Sequence, residues 1–263
     1  MNIDKLTKET ILQKLNDKAS FFDVNIFDTV TSTNTLAKEE AINGAREGYV
    51  VLATSQTQGR GRIGRKFFSP SDTGIYLSVV LKPDEECENM IFITTLAAVS
   101  VCEAIESVSQ KKTDIKWVND IFIDGKKVCG ILSEAKLKNN NKPEFVILGI
   151  GINVYKPEDD FPDDIAKTAG YIFEQEEKDV KNNLCAKILE RILFYYNNLK
   201  EKAFLDEYKK RSIATGKNIT VIKSNKKYSA YCMGLDDDLR LRVRYENGNE
   251  DYISSGEISI RLN

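Results

Sequence analysis

TSQTQGRGRIGRKFF, residues 54–68, places three arginines and one lysine among three glycines. Glycine permits unusual backbone angles and leaves a loop mobile, whereas arginine presents a planar fork of donors that suits carboxylates and phosphates. The flanking runs, YVVLAT (49–54) and IYLSVVL (75–81), are rich in β-branched residues and predict two buried strands. The segment therefore connects two strands, and we expect it to bind an anion.

The same segment decides between fold classes, because Gly59, Gly61 and Gly64 spell the GxGxxG pattern of dinucleotide-binding proteins. That pattern holds a pyrophosphate only where a strand leads directly into a helix, whereas here RKFFSPSDTG and a further strand follow. A P-loop is excluded as well, since no GK[ST] ends the segment. Anion binding by backbone amides and guanidinium groups is retained, with an exposed turn of solvated arginines as the alternative.

The composition of the chain excludes several kinds of chemistry. None of the 263 residues is histidine, which rules out Ser-His-Asp and Cys-His nucleophiles, imidazole bases and histidine metal ligands. The formal net charge of −2 is too balanced for a protein whose main role is to coat nucleic acid. The cysteines are far apart and form no CxxC pair, so we expect reduced thiols that mostly pack in the interior. They are Cys87, Cys102, Cys129, Cys185 and Cys232.

The sequence predicts a cytoplasmic protein that does not span a membrane. Its first residues, MNIDKLTKETILQKLN, mix charges into the apolar positions and lack the continuous apolar core of a secretory signal. No apolar run is expected to approach the length needed to cross a bilayer. From the chain length we expect one large domain and one small domain.

Periodicity along the chain predicts both helices and strands. Strands are expected at 24–30, 49–54, 75–81 and 145–154, with hairpins within 114–137. Helices are expected at 6–16, after Ser32-Thr33-Asn34, at 90–107, at 184–199 and through 204–211. From Gly216 onward, short strands separated by turns predict a small β-barrel.

A second polar cluster lies in KWVNDIFIDGKKVCGIL, residues 116–132, near predicted strand ends where a turn can direct side chains into a cleft. Its members are Lys116, Asn119, Asp120 and Lys127. Taken alone, these residue types are more typical of turns and solvated strand positions. In the same way, Ser32-Thr33-Asn34 is typical of a helix cap and GIGIN (149–153) of a close-packed strand end.

Taken together and in this order, four segments resemble the signature of biotin protein ligases, also called biotin–[acetyl-CoA-carboxylase] ligases. The segments are GRGRIGRK (59–66), KWVND (116–120), KKVCGIL (126–132) and GIGIN (149–153). The likeness extends to GEISIR at 256–261, and GRGRxGR is its most specific element. It implies an α+β fold: a mixed β-sheet catalytic domain with packed helices, of the biotin and lipoate ligase type, and a small C-terminal SH3-like β-barrel. The expected boundaries are 1–23 for a short N-terminal helical segment, 24–213 for the catalytic domain and 214–263 for the barrel.

The resemblance implies a reaction in two steps. Biotin and ATP, with Mg²⁺, give biotinyl-AMP and pyrophosphate, and a lysine of a biotin carboxyl carrier protein then takes the biotinyl group. Because two anions meet in the first step, arginine, lysine and Mg²⁺ are needed to offset their charge. A glycine-rich loop that closes over the intermediate would shield its mixed anhydride from water.

The resemblance also assigns roles to residues by position. Lys127 is the first catalytic candidate, together with the loop arginines Arg60, Arg62 and Arg65. Biotin contacts are assigned to Ser32, Thr33, Asn34, Gln56, Gly59, Arg60, Lys127 and Gly130. ATP or adenylate contacts are assigned to Arg62, Arg65, Lys116, Asn119, Lys127, Asn153 and Arg261. Lys116 and Asp120 match a second charged pair, and Asp120 is assigned to Mg²⁺ or to the incoming lysine.

Two residues depart from the family pattern. Val118 stands where KWPND has proline, and Phe67 stands where a tryptophan is expected after the loop. The first change is expected to make the turn less rigid, and the second to alter packing over the ligand while keeping an aromatic ring. Neither change removes a charged group.

Three alternatives stay open on the sequence alone. A lipoate ligase or octanoyltransferase would share the catalytic fold, although the arginine-glycine loop argues against both. A DNA-binding regulator would need a winged helix, and only about two dozen residues precede the predicted catalytic domain, so no operator binding is expected. A single short basic cluster disfavours RNA binding. Carrier docking and homodimer formation at an exposed sheet edge are both left open.

Overall fold

The computed structural model describes residues 4–83, 90–140, 142–223, 226–254 and 259–262, with side chains described as far as Ser254. These residues form two β-sheets with helices packed around the larger one. The predicted α+β class, a mixed sheet followed by a small C-terminal β domain, is confirmed.

The larger sheet is mixed and has seven strands. They are β1 (Asp23–Val30), β2 (Tyr49–Gln56), β3 (Gly74–Leu81), β4 (Asp114–Lys116), β5 (Asp120–Ile123), β6 (Lys126–Leu137) and β7 (Pro143–Asn153). Their order across the sheet is β1-β2-β3-β7-β6-β5-β4. β1 and β2 run parallel, and each other neighbouring pair is antiparallel. A parallel pair needs a crossover, which the helix α2 (Thr33–Ile42) supplies.

The centre of this sheet is apolar because both of its faces are covered. Every residue of β3 is buried, and β7 is buried along most of its length. Continuous apolar runs such as GIYLSVVL are the expected sequence of strands covered on both sides. The exception within β3 is the fully buried Ser78, whose hydroxyl belongs to the pocket described below.

Helices form the second layer. They are α1 (Lys8–Leu15), α2, α3 (Met90–Ser109), α4 (Asp163–Ala166), α5 (Val180–Asn197) and α6 (Leu205–Lys210). α3 packs against α5 and β6, and α1 packs against α5. The predicted helix at 184–199 is confirmed but begins earlier, at Val180, and α4 lies in a segment for which no helix was expected.

One sequence-based expectation is wrong for α3. Among the described residues, this helix is long and apolar enough, by length and composition, to cross a membrane. In the structure 67% of its apolar window is buried inside the fold. The long apolar run is accounted for by packing against α5 and the sheet, as expected for a core helix.

The N-terminal segment is fastened to α5 by buried hydrogen bonds. Asp4 is 1% exposed, and its carboxylate accepts from Tyr155 Oη at 2.6 Å and from the Lys181 amide at 2.9 Å. Asn182 accepts from the Thr7 amide at 3.0 Å and donates to the Lys5 carbonyl at 2.8 Å. The first helix therefore packs as part of the main body.

The four cysteines within the described residues are buried free thiols, as predicted: Cys102, Cys129, Cys185 and Cys232. Burial raises the pKa of the Cys102 thiol to about 12. A thiol with so high a pKa is a poor nucleophile at neutral pH, which fits a packing role. Cys87 lies outside the described residues.

The smaller sheet is antiparallel and consists of β8 (Asn218–Lys223), β9 (Lys226–Leu235), β10 (Leu241–Tyr245), β11 (Glu250–Ile253) and β12 (Ser259–Leu262). Its order is β11-β10-β9-β8-β12. The turn between β9 and β10 reaches the larger sheet, where the Leu239 carbonyl accepts from Trp117 Nε1 at 2.9 Å. The closed SH3-like form of this sheet and the three domain boundaries stay predictions.

Candidate active site

A pocket gathers most of the predicted site residues. They come from the start of α2, the end of β2, the loop between β2 and β3, the β4–β5 turn and β6. Those that line it are Ser32, Thr33, Asn34, Gln56, Arg60, Arg62, Arg65, Lys116, Asn119, Asp120, Lys127 and Gly130. The segments that the sequence treated as separate signals therefore meet at one place.

The loop over the pocket connects two strands, as predicted, and it forms a narrow hairpin. Its two arms are joined by the Gly61 amide, which donates to the Arg65 carbonyl at 2.7 Å, and by the Phe67 amide, which donates to the Gly59 carbonyl at 2.9 Å. At its tip Ile63 and Gly64 have positive φ angles of 54° and 68°. A short 3₁₀ turn (Arg62–Gly64) replaces the helix that a dinucleotide fold requires, so the exclusion of that fold is confirmed.

Gly59 lies beside the pocket, outside its lining, and is needed for close packing. A Cβ at this position would lie 2.6 Å from Ser69 Oγ, and the Phe67 carbonyl is nearer still. Real Cβ atoms are not found so close to other heavy atoms. The glycine therefore allows the outgoing arm of the loop to pass over the returning arm.

Glycines also form the floor of the pocket. Gly130 on β6 and Gly151 on β7 are cross-strand neighbours, and the Phe67 ring lies against both. A Cβ on Gly151 would lie 2.6 Å from that ring, and a Cβ on Gly149 would lie 2.7 Å from Asn34 Cγ. Gly149 and Gly151 line the pocket, although the sequence predicted only close strand packing for them.

One wall of the pocket is a polar network around the start of α2. Gln56 Oε1 accepts from the Thr33 amide at 2.8 Å and from Thr33 Oγ1 at 3.2 Å. The Gln56 amide nitrogen donates to Ser69 Oγ at 2.9 Å, which ties the end of the loop to the same wall. Ser78 Oγ lies 2.8 Å from Thr33 Oγ1. Gln56 therefore performs the capping function that Ser32 was expected to perform, since Ser32 makes no side-chain cap bond.

The Asn34 side chain is held on three sides. Its Oδ1 accepts from Ser78 Oγ at 2.7 Å, and its Nδ2 donates to the Leu132 carbonyl at 3.2 Å and to Glu134 Oε2 at 2.9 Å. Asn34 is 5% exposed. Its amide thus has a fixed orientation at the edge of the pocket.

Lys127 and Arg62 are two of the cationic side chains that line the pocket. Lys127 Nζ lies 2.7 Å from Asp120 Oδ1, and Arg62 donates to Asn119 Oδ1 at 3.1 Å. Burial lowers the pKa of Arg62, and the Asp120 carboxylate opposes that shift. Since arginine stays protonated at any physiological pH, this burial leaves a weakly hydrated positive charge inside the site.

Asp120 forms an ion pair with Lys127. The sequence matched it with Lys116, and these two residues are register neighbours on β4 and β5. The match of Asp120 with Lys116 stays a prediction. Lys116 lines the pocket with its Nζ 6.0 Å from the centre of the Phe122 ring, a cation–π distance.

Asn153, like Gly59, lies outside the pocket lining. Asn153 donates to the Gly170 carbonyl at 2.9 Å, and the Gly170 amide donates in turn to the Lys127 carbonyl at 2.8 Å. Asn153 thus supports the backbone of Lys127 from behind. Arg261 lies on β12, but its side chain is outside the described residues, so its role in ATP binding stays a prediction.

The sequence missed three side chains at the site. Glu134 on β6 makes a two-point ion pair with Arg60, Ser78 holds Asn34, and Trp117 lines the pocket. Ser78 carried a signal, as a polar residue within a strand that is otherwise apolar. Glu134 carried none, because it looks like an ordinary strand carboxylate until the loop is seen to fold over it.

The donor set does not form a metal site of the protein alone. Within the described part of the chain, no group of three or more Asp, Glu, Cys or His side chains comes together. Asp120 offers one carboxylate and already contacts Lys127. Magnesium is usually held by one or two carboxylates together with substrate phosphates and water, an arrangement with which a single aspartate is compatible.

Comparison with known proteins finds relatives that cover most of this chain. The model of the biotin/lipoate A/B protein ligase family matches residues 26–153. The bifunctional ligase/repressor BirA of Bacillus spizizenii is 34% identical over 232 residues, which cover 84% of this chain and 69% of that protein. The biotin–[acetyl-CoA-carboxylase] ligase of Mycobacterium tuberculosis is 27% identical over 234 residues, which cover 86% of this chain and 85% of that protein.

Solved structures agree with the sequence comparison. The biotin protein ligase from Aquifex aeolicus in complex with biotin and ATP superposes with a TM-score of 0.77 and is 28% identical. The match covers 92% of this chain and 99% of that one. The biotin protein ligase from Leishmania major in complex with biotinyl-5-AMP has a TM-score of 0.56 and, at 21% identity, supports the fold alone.

Proposed function

This chain belongs to the biotin/lipoate A/B protein ligase family, as an ATP-dependent biotin protein ligase, and from that premise we propose how its residues carry out the reaction. The observation that carries the assignment is that the GRGRIGR loop (59–65) folds over the same pocket as the Lys127–Asp120 pair and the Thr33–Gln56 network. Cationic groups and neutral hydrogen-bonding groups thus occupy separate parts of one site.

In the first step a biotin carboxylate oxygen attacks the α-phosphorus of ATP. The bond from that phosphorus to the pyrophosphate oxygen breaks, which leaves biotinyl-AMP and pyrophosphate. We assign the offset of negative charge to Lys127, Arg62 and Arg65, because all three line the pocket. Preorganised cations in a partly desolvated site stabilise such charge without reorganisation.

The neutral end of biotin is assigned to the wall around α2. The ureido ring needs donors and acceptors without net charge, and Ser32, Thr33 and Gln56 supply hydroxyl and amide groups there. The glycine floor and the Phe67 ring offer a flat apolar surface for the rest of the molecule. Asn34 serves this wall indirectly, by the fixed contacts described above.

Magnesium, when bound with ATP, would supply further positive charge to the phosphates, and Asp120 is the residue that would reach it. Asp120 also keeps the Lys127 ammonium in place, with 2.7 Å between Nζ and Oδ1. An ammonium held in this way presents N–H donors to the oxygens of an anionic substrate. Lys127 is therefore assigned as a binder of carboxylate and phosphate oxygens rather than as a base.

In the second step the amine of a carrier lysine attacks the carbonyl carbon of biotinyl-AMP. The bond from that carbon to the phosphate oxygen breaks, AMP leaves, and the amine loses a proton as the amide forms. A lysine amine has an ordinary pKa near ~10.4, so a good leaving group matters more than a strong base. AMP is such a group, which is consistent with a site without histidine.

The acceptor is a carboxylase carrier protein, as implied by the names of the relatives, and we propose a biotin carboxyl carrier protein or domain. We further propose that the reaction takes place in the cytoplasm and without DNA binding. The test is incubation of the purified protein with Mg²⁺-ATP, an apo carrier domain and either biotin, lipoate or octanoate, followed by intact mass. Addition of biotin alone supports the proposal, whereas addition of lipoate or octanoate would replace it with the sister activities.

A further inference from the structure

The loop over the pocket is tied to the sheet by a two-point ion pair. The Arg60 guanidinium donates to Glu134 Oε1 at 2.8 Å and to Glu134 Oε2 at 3.1 Å. Glu134 lies on β6, a strand of the rigid sheet, whereas Arg60 lies on the glycine-rich loop. Paired donors and acceptors of this kind fix both distance and orientation, which a single contact does not.

The same carboxylate also takes part in the polar wall of the pocket. Glu134 Oε2 accepts from Asn34 Nδ2 at 2.9 Å, and Asn34 Oδ1 accepts from the buried Ser78 at 2.7 Å. A continuous series of hydrogen bonds therefore runs from the loop arginine through Glu134 to the wall at the start of α2. An arginine that moves away would leave Glu134 with Asn34 as its neutral partner.

This geometry changes the role expected of Arg60. Both of its terminal nitrogens face Glu134, so its charge is offset by a protein carboxylate. Arg62 makes a further contact, with Asn119 in the turn between β4 and β5. Arg60 thus holds the loop through an ion pair, and Arg62 holds it through a hydrogen bond from a charged donor to a neutral amide oxygen.

We propose that Glu134 is a positioning residue that holds Arg60, and with it the loop 59–67, closed over the pocket so that biotinyl-AMP is retained until the carrier lysine arrives. The retention part of this proposal rests on the proposed function. The holding part concerns the protein without ligand and can be measured separately.

The closest comparison within the chain is the ion pair between Lys136 and Glu144, which joins β6 to β7 at 3.0 Å on the surface. Its carboxylate is 43% exposed and joins two strands that are already hydrogen-bonded in the sheet. Glu134 is 26% exposed and joins a strand to a loop. Glu144→Gln is therefore a matched control that removes a carboxylate of the same type without releasing the loop.

The first experiment is limited trypsin digestion of the ligand-free protein. The loop itself carries four trypsin sites, at Arg60, Arg62, Arg65 and Lys66, so cleavage there reports how often it opens. Glu134→Gln is expected to speed loop cleavage about 3- to 10-fold, the range for a partly exposed two-point ion pair. Glu144→Gln is expected to match the wild type. Equal cleavage of all three proteins would overturn the proposal.

The second experiment measures loss of the intermediate. Biotinyl-AMP is formed on the protein from labelled biotin and ATP. The sample is then diluted into pyrophosphatase and excess unlabelled biotin, and the release of labelled biotinyl-AMP from the protein is followed. Glu134→Gln is expected to release it about 3- to 10-fold faster than the wild type does. A slower rate of formation with unchanged release would contradict a retention role.

Two further outcomes separate the causes of failure. If the wild type forms no biotinyl-AMP, the proposed function fails, while the trypsin result still decides whether Glu134 holds the loop. If Glu134→Gln unfolds, Glu134→Asp replaces it, because the shorter carboxylate keeps the charge but cannot span the same distance to both Arg60 nitrogens. Wild-type cleavage and release in folded Glu134→Asp would also overturn the proposal.

Discussion

Lys127 and Asp120 face each other across the β5–β6 hairpin, with 2.7 Å between Nζ and Oδ1, at the point where the arginine-glycine loop covers the pocket. The pairing of β5 with β6 is irregular between Ile121 and Phe122, close to this contact. The contact places the predicted catalytic lysine within the pocket with its charge already oriented.

Replacing Lys127 with alanine should slow formation of biotinyl-AMP by about 10²–10³-fold, the usual cost of removing one preorganised charge stabiliser. The fold should persist, because the Lys127 side chain is one-third exposed. The measurement is single-turnover adenylation in a rapid-quench instrument. Lys126→Ala is the matched control, since that neighbouring side chain binds the Lys167 carbonyl outside the pocket. A normal rate for Lys127→Ala would refute its assigned role.

Replacing Arg62 with alanine should slow the same step by about 10²-fold or more, because the site loses a partly desolvated positive charge near the reacting anions. Arg244→Ala on the smaller sheet, where the arginine pairs with Glu250, should adenylate biotin at the wild-type rate. Comparison of the two by single-turnover kinetics separates a local effect from a general loss of positive charge. Equal rates in both variants would contradict the role of Arg62.

Replacing Gly151 with alanine should displace the Phe67 ring, since the added Cβ would lie 2.6 Å from it. The expected result is a KM for biotin raised by about tenfold, because the ring forms part of the binding surface and overpacking of this kind costs about 1–3 kcal/mol. Combining Phe67→Ala with Gly151→Ala should remove the clash. The loss of biotin binding free energy in the double variant should then be smaller than the sum of the losses in the two single variants. Strictly additive losses would show that the two residues do not interact.

Replacing Ser78 with alanine should leave buried polar atoms of Thr33 and Asn34 without this hydroxyl. The free energy of unfolding is expected to fall by about 1–3 kcal/mol, and the KM for biotin should rise with it. Urea unfolding and steady-state kinetics give the two values. Ser107→Ala, whose hydroxyl bonds only the Ala104 carbonyl within α3 among the described contacts, should change the unfolding free energy much less.

Replacing Asp4 with asparagine should change how stability depends on pH. Burial raises the pKa of Asp4 in the folded protein above its ordinary value of 3.8. The stability that this group contributes is then fully present below pH 3.8 and lost as pH rises through the folded pKa. Asp4→Asn should therefore gain stability relative to the wild type as pH rises from about 4 to 7. A stability difference that is constant across that range, by urea unfolding, would contradict this.

Much of the site could be predicted from the sequence because strand ends concentrate polar residues. The apolar runs YVVLAT and IYLSVVL predicted two strands with the loop between them. Ser32-Thr33-Asn34 predicted a junction between a strand and a helix. The resemblance, which depends on the order of four segments, then assigned a shared site to Lys116, Asn119, Asp120 and Lys127. In the structure these residues line the same pocket. The assignments of individual ligands to individual residues stay predictions.

Other features could not be predicted because they depend on tertiary contacts. The ion pair of Asp120 with Lys127 joins two strands, and the irregular register of β5 with β6 has no local signal in the sequence. Glu134 contacts Arg60 only when the loop folds across β6. Asn153 donates to the Gly170 carbonyl, which belongs to a later segment of the chain. The apolar run of α3 was underestimated because Glu103 and Glu106 interrupt it while leaving its buried face intact.

The most direct test of the account is ATP–pyrophosphate exchange by the purified protein with Mg²⁺, run in parallel with biotin, lipoate, octanoate and no added acid. The account predicts exchange that requires biotin and is lost in Lys127→Ala. Exchange with lipoate or octanoate in place of biotin would keep the adenylation chemistry but contradict the substrate. The absence of exchange with every acid would contradict the central claim that this pocket activates a carboxylate with ATP.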